Sequence, residues 1–502
     1  MLPGRHNGER EWPRDGTATR RKTNMVSNDP LPLIDGRRPR IAFVVYNDTY
    51  ADTRVLKIAA TVAEGGADVR IFAFSSRTGH FGPGLETGEV EIDRLPLREI
   101  AHLLTKWGLS VRRMLGRPVP IYTETATNTG ESSTAPVAGT AAPKVATPSV
   151  PKPAAPRASG AKNVAIDLWR RADATIKQGS FWKRASASVQ AWRPDIIHAH
   201  DANTLVVAMW ASRRLSVPYV YDSHELWTER NIRSDRPVAK RFERLYERLG
   251  AQRATAVVTV SPSIADWLKK RYRLRAQPTL VRNIPAFTGQ VPEQSAGRLR
   301  ELAHLSPETR VLAYCGGITT NRGIEETIEA LPLLPSDVHF VLLGFGSEIY
   351  RAGLDRRIAE LGLAHRVHFV GAVRSSDVSA ALADADVSLV LTRPACLSYE
   401  YSLPNKLFES IQAGIPVVST NLVDAARLVR KYDVGEIVET DMPAKALAAT
   451  ISKTLASSAQ RRAAIRLAAP ELTWQGESAR LFQLYRSLLA GQSTGVARWI
   501  RK

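Results

Sequence analysis

Two stretches of this chain, LAYCGGITTNRGIEETIEAL and EYSLPNKLFESIQAGIPVVST, each join a strand to a helix through a turn that carries a cation. Such a junction suits phosphate. The first turn of a helix leaves its amides without intrahelical partners, and the macrodipole adds about half a positive charge there. Two such turns facing one cleft suit a nucleoside diphosphate. In the second stretch Ser402 is the expected N-cap, Pro404 fits the first helical turn, and Gly414 with Pro416 marks the stop, giving a helix of about three turns. Leu407, Phe408 and Ile411 fall on its core side, while Asn405, Glu409 and Gln412 share another stripe. Glu409 then stands one turn above the phosphate end, where a carboxylate accepts from both hydroxyls of a ribose. The plain alternative is a solvated glutamate on a surface helix. In the first stretch Gly316 and Gly317 follow a strand, Thr319 to Asn321 turn the chain, and Ile324, Ile328 and Leu331 mark the buried side of the helix. Arg322 is left at the turn. Its planar fork suits two phosphate oxygens, or a pairing with Glu325 or Glu326.

The elements that must hold these turns are legible elsewhere. RIAFVVYNDTYADTRVLKIAATVAEGGADVRIFAF alternates strand, helix and strand, the pattern of a doubly wound α/β unit. In open parallel sheets ligands lie beyond the carboxyl ends of the strands. Asn47, Asp48 and Asp52 therefore face a cleft, with Arg54 and Lys57 on the next helix; a solvated amphipathic helix shows the same two cations. DIIHAHD and PYVYDSHEL end two further apolar strands in polar residues, placing His198, His200, Asp201, Asp222 and His224 at the same edge. His224 stands out among them, although a strand-end histidine is otherwise a hydrogen-bonded structural residue. Imidazole and carboxylate are also proper metal ligands. No two of these groups form the four-apart helical pair of a zinc enzyme and no cysteine cluster accompanies them, so no metal is expected.

Together these motifs resemble the GT-B nucleotide-sugar glycosyltransferases of retaining family 4 (group 1), from about Arg40 to Leu489 with one interruption. That family shows G-x-x-x-x-K/R-G for the donor diphosphate, then a glycine turn after the next strand, then a glutamate pair eight apart before G-x-P-V. This chain supplies Gly317 to Gly323 with Arg322 as the cation, LLGFGSE with Gly344 and Gly346, and Glu409 followed by AGIPVV. It departs at two places. The arginine many members carry after the strand's glycine is Gly317 here, leaving Lys406 or Arg282 to compensate. The first glutamate of the pair falls at Tyr401, with Glu400 one place earlier. The resemblance implies two Rossmann-like doubly wound domains facing a central cleft, with a last helix returning to the N-terminal domain. It implies donor binding by Gly316, Gly317, Arg322, Gly344, Gly346, Ser402, Leu403, Pro404, Asn405, Lys406 and Glu409. It implies that His224, which matches the family's sugar-contacting histidine, acts with Arg322 and Lys406 in catalysis, while Asn47, Asp48, Asp52, His200 and Asp201 are the expected acceptor or cleft-loop residues. It implies retention of anomeric configuration without metal, cofactor or protein nucleophile, the leaving phosphate oxygen helping to deprotonate the acceptor.

Bulk properties bound the rest. At 502 residues and 44% apolar the chain suffices for two cored domains. The expected plan is a basic tail 1–39, an N-terminal acceptor domain 40–283 interrupted by a Pro/Ala/Thr-rich tract 118–162, a donor domain 284–473 and a returning helix 474–502. Cys315 and Cys396 are the only cysteines, and neither a long apolar run nor a signal peptide is evident, which favours the cytoplasm. A formal charge of +20 invites nucleic acid, anionic lipid or a solubilising surface. No nucleic-acid-binding signature is present. In 102–117 and 166–193, Trp107, Trp169, Phe181 and Trp182 alternate with arginines and lysines, as in helices that lie on the inner face of a membrane. The expected partners are a nucleotide sugar, a glycan or lipid-linked acceptor and an anionic membrane surface. Two rivals stay open: a nucleotide-sugar epimerase of the same fold, and a catalytically silent sugar-nucleotide or membrane-binding protein.

Overall fold

Short apolar strands covered by helices on both faces build two separate parallel sheets. The computed structural model describes residues 30–49, 52–75, 84–87, 90–97, 161–230, 237–287 and 289–493. The tail 1–29, Trp107 with the rest of 102–117, most of the tract 118–162 and the side chain of Trp169 lie outside them.

The first sheet contains β1 (Arg40–Val44), β2 (Asp68–Phe74), β3 (Gly84–Thr87), β4 (Val90–Leu95), β5 (Ile196–His200), β6 (Tyr219–Ser223), β7 (Ala256–Thr259) and β8 (Thr279–Leu280). Its order is β3-β4-β2-β1-β5-β6-β7-β8, parallel except for the β3–β4 pair. The second contains β9 (Arg310–Cys315), β10 (Val338–Leu343), β11 (Val367–Phe369), β12 (Val387–Val390), β13 (Val417–Thr420) and β14 (Gly435–Val438), ordered β11-β10-β9-β12-β13-β14. Each order reverses once, between β1 and β5 and between β9 and β12, and a crevice opens at the carboxyl ends of such a pair.

Alternation along β1 divides the first core in two. Ala42 and Val44 pack with Phe181, Val189 and Leu205 on one face. Ile41 and Phe43 pack with Trp474, Phe482 and Tyr485 on the other. Those last three belong to the helix Trp474–Ser493, so the C-terminal helix closes the first sheet rather than the second. The chain crosses between domains at Val281–Ile284. There Arg54 donates to the Val281 carbonyl at 2.9 Å, Lys57 to the Asn283 side chain at 2.9 Å and the Ile284 carbonyl at 2.5 Å, and Arg282 to Glu477 at 2.5 Å.

Two expectations need correction. Leu31 is buried, its N–H donating to Gly65 at 2.8 Å, and Arg37 grips Asp195 at 2.7 Å, so residues 30–39 belong to the first domain and not to a tail. The short run Leu31–Pro32–Leu33–Ile34, broken by proline and bounded by polar residues, has neither a helix nor a strand period to betray it. Along the helix Ala161–Trp192, Phe181 is wholly buried and Trp182 donates to the Asn203 carbonyl at 2.6 Å. Its aromatic side serves its own domain, so this helix does not offer those rings to a membrane.

Candidate active site

The glycine turns of the second sheet touch. Gly316 leaves β9 with φ +117, and a Cβ on Gly344 would fall inside the Gly316 carbonyl oxygen, so only glycine lets these two backbones meet. Ile318 donates to the Phe345 carbonyl at 2.8 Å and bridges Gly346 in parallel, fixing the two turns as one unit. Two cations flank it. Lys406 Nζ sits 4.1 Å over the Tyr314 ring and would lie 3.5 Å from a Cβ on Gly316; the Arg322 guanidinium stacks 5.1 Å over Tyr399. Neither forms an ion pair among the described residues; Glu326, one of the two carboxylates considered for Arg322, takes Arg393 instead. Burial lowers the Lys406 pKa to about 8.

The helix behind Lys406 is shorter than expected, Asn405–Gln412, and its N-cap is Pro404; the Ser402 hydroxyl donates to the Tyr399 carbonyl at 2.8 Å instead of capping. Leu407, Phe408 and Ile411 are buried as their spacing indicates. Gln412 is buried too, donating to the Pro285 carbonyl at 3.0 Å and the Leu472 carbonyl at 3.2 Å. Glu409 is no solvated glutamate. It accepts from the Cys315 thiol at 3.4 Å, and burial raises its pKa against the pull of Lys406 and Lys57. Arg282, bound to Glu477, is not disposed to replace the missing arginine, and Glu400 is exposed.

Across from this helix, a cleft of about 500 Å³ is lined by Asn47, Asp48, Asp52, Arg54 and His224 on one side and by Ser402, Leu403 and Asn405 on the other. Segments more than 350 residues apart in sequence thus face one space. Gly316, Gly317, Arg322, Gly344, Gly346, Pro404, Lys406 and Glu409 lie outside its lining, Lys406 following the lining residue Asn405 in the chain. Asp52 caps the helix Thr53–Glu64, accepting from Val55 N at 3.1 Å and from the Asn47 amide at 2.7 Å. Two of the three polar loop residues therefore shape the loop as well as lining the cleft.

Beneath His224 lies a buried ionic network. Arg54, 4% exposed, donates to both oxygens of Asp222 at 2.8 and 3.0 Å; Asp222 is 0% exposed and lies 3.4 Å from both His198 Nε2 and His224 Nε2. Burial alone would raise the Asp222 pKa, but Arg54 and then His224 hold it well below the usual carboxylate range. His200 Nδ1 is 3.0 Å from His224 Nε2, and burial with two neighbouring imidazoles keeps His200 neutral. For His224 burial acts downward, yet Asp201 at 3.5 Å and Asp222 overcome it and raise the pKa to about 9. His224 is then an imidazolium donating from both nitrogens, toward Asp201 and toward His200. Among the described residues His198, His200 and Asp222 bring three ligating atoms within 4.8 Å of one another. The Arg54 guanidinium already pairs with that carboxylate.

A pH experiment follows from this network. A histidine raised from 6.5 to about 9 on folding stabilises fully below pH 6.5, and the contribution disappears as pH rises through 9. Urea denaturation is expected to show His224→Gln closing its gap to the wild type across that window, by up to about 3 kcal/mol. A gap independent of pH would refute the imidazolium.

The loop before the Asn405–Gln412 helix belongs to the second domain but rests on the first. Leu397 and Tyr401 pack on the first domain's core. Ser261 donates to the Tyr401 carbonyl at 2.6 Å, Leu226 N to the Ser398 hydroxyl at 3.2 Å, and Ser263 N to Asp424 at 2.8 Å. These bonds, the Arg54 to Asp222 pair and the reach of Lys57 to the crossover join residues too far apart for spacing to reveal.

Two family profiles fit the chain: "Glycosyl transferase 4-like domain" at residues 51–284 and "Glycosyl transferases group 1" at residues 309–457. The D-inositol 3-phosphate glycosyltransferase of Salinispora arenicola is 26% identical over 340 residues, 61% of this chain and 72% of that protein. The lipopolysaccharide glucosyltransferase WaaG of Escherichia coli is 26% identical over 178 residues, 35% of this chain and 45% of that protein. The phosphatidyl-myo-inositol mannosyltransferase of Mycobacterium leprae is 25% identical over 258 residues, 49% of this chain and 60% of that protein. The last two alignments span less than two thirds of the relative's length. Among solved structures, Anabaena HepE in complex with UDP aligns with TM-score 0.61 at 15% identity over 89% of this chain and 100% of that one. Sucrose-phosphate synthase from Thermosynechococcus elongatus aligns with TM-score 0.63 at 17% identity, over 90% and 100%. At such identities the structural likeness concerns the fold.

Proposed function

Since this chain belongs to the group 1 glycosyltransferases, we propose that it moves a sugar from a nucleoside diphosphate to a hydroxyl of a glycan or lipid-linked acceptor, with retention of anomeric configuration. One observation carries the reading: two cations without carboxylate partners among the described residues flank paired glycine turns beside the cleft that His224 lines. The turn amides, Arg322 and Lys406 would neutralise the charge that grows on the departing diphosphate. Glu409 would accept from the ribose hydroxyls. His224, protonated at neutral pH, is a donor and a poor base; it would hold sugar hydroxyls while the acceptor proton passes to the leaving phosphate oxygen. Asn47, Asp48 and Asp52 would meet the acceptor, with His200 and Asp201 steering His224 from behind. Transfer is expected to persist in EDTA. We also place the protein in the cytoplasm, a reading supported by two unpaired cysteines and by the absence, among the described residues, of a helix long and apolar enough to cross a membrane.

A thermal-shift screen with UDP, GDP and ADP sugars tests the donor, because a ligand that binds only the folded state raises its melting temperature. One of the three is expected to stabilise the wild type, with the shift reduced in Arg322→Ala and Glu409→Ala. No response to any of them would end this reading. Interconversion of the donor without acceptor would instead show the epimerase, and binding without turnover the silent protein. NMR of the product's anomeric proton decides between retention and inversion.

A further inference from the structure

The helix Pro237–Arg253, read along PVAKRFERLYERLGAQR, is turned inside out. Its acids face inward: Glu243 is buried, and Glu247, 1% exposed, accepts from Tyr221 at 2.8 Å and Tyr272 at 2.7 Å. Its outer face holds Phe242, 60% exposed, and Leu245, 55% exposed, between exposed Arg241 and Arg248. On an ordinary solvated helix those positions would be reversed. The rings run on from Phe242 to Tyr246 at 5.6 Å and from Tyr246 to Trp182 at 6.1 Å. The adjoining helix Leu205–Leu215 exposes Trp210 beside Arg213 and Arg214.

We propose that this face of the Pro237–Arg253 helix docks on an anionic lipid surface, with Phe242 and Leu245 entering the headgroup boundary and Arg241 and Arg248 meeting lipid phosphates. Large apolar side chains among cations, with the acids withdrawn, match such a surface in both charge and polarity. Nucleic acid would match the cations and leave the apolar pair unexplained. The face also lies near the cleft. Lys240 and Arg244 on this helix bind Glu229 at 3.1 and 2.7 Å, and Arg230 next to it binds Glu225, which adjoins His224. Docking there holds the mouth of the cleft at the bilayer. If the transferase reading holds, the acceptor can keep its lipid anchor in the membrane while its hydroxyl reaches His224.

The test uses the full chain with vesicles of phosphatidylcholine alone or mixed with phosphatidylglycerol, read by co-sedimentation. The wild type is expected to bind the anionic vesicles only and to release in high salt. Phe242→Ser with Leu245→Ser is expected to weaken binding by more than about tenfold at unchanged melting temperature, and Arg241→Gln with Arg248→Gln to remove most of the salt dependence. Equal binding by wild type and the Phe242/Leu245 variant, or none by either, would overturn the proposal. So would a wild type that self-associates in analytical ultracentrifugation while this variant does not, because a second copy would then cover the face. Nucleotide binding is measured separately, so a failed donor screen leaves the vesicle result standing.

Discussion

Replacing Arg54 by alanine is expected to cost about 3–5 kcal/mol in urea denaturation, a large part of what holds an ordinary domain together. The substitution would remove three charged hydrogen bonds to Asp222 and the bond to the Val281 carbonyl, leaving a carboxylate sealed from water with the His224 imidazolium at 3.4 Å as its remaining charged neighbour. Arg54→Lys should recover only part of the loss, since an ammonium cannot bridge both Asp222 oxygens and the carbonyl together. A double substitution, Arg54→Met with Asp222→Asn, should be milder than Arg54→Ala, because it removes the stranded charge along with its partner. If Arg54→Ala lost under about 1 kcal/mol, the network would not be the keystone its burial indicates.

The largest effect on turnover is expected at Lys406. Lys406→Ala should lower kcat about 10²–10³-fold, the usual cost of losing one preorganised group that stabilises developing negative charge. The stacking of Lys406 over Tyr314 beside Gly316 is set before any ligand arrives, so little reorganisation is needed at the moment of bond breaking. Its pKa near 8 adds a signature. Donor affinity should fall as pH rises through 8 in the wild type and stay flat in the alanine variant. Unchanged kcat, or identical pH profiles, would transfer that role to Arg322 alone.

Much of the architecture could be read from local patterns, because strands such as Ile196–His200 and Tyr219–Ser223 are short apolar runs ending in polar residues and the Gly316 and Gly344 turns directly follow strands. Leu407, Phe408 and Ile411 declare their side of a helix by spacing alone. What local patterns could not tell was the use made of charged residues. Glu409 reads as a ribose ligand or a solvated surface residue and is half-buried beside a thiol; Arg282 reads as a spare phosphate ligand and is spent on Glu477. In both cases the partner lies on another element, and no periodicity encodes it. Ser402 failed as a cap because Pro404, with extended φ and ψ, takes the boundary two residues later. The aromatics of the Ala161–Trp192 helix show the same limit from the other side, since tryptophan beside arginine suits a domain's own core as readily as a lipid surface.

The segment from Leu397 to Pro404 is covalently part of the domain expected to hold the nucleotide, yet Leu397 and Tyr401 pack on the opposite domain's core, and Ser398 and the Tyr401 carbonyl accept hydrogen bonds from it. Separation of the two halves must therefore peel this segment from one or the other. If Arg322 releases Tyr399 in the same motion, departure of spent nucleotide and widening of the gap become a single event. In a rapid-mixing experiment such an arrangement would show a first cycle faster than those that follow, with exit rather than bond making as the pacemaker.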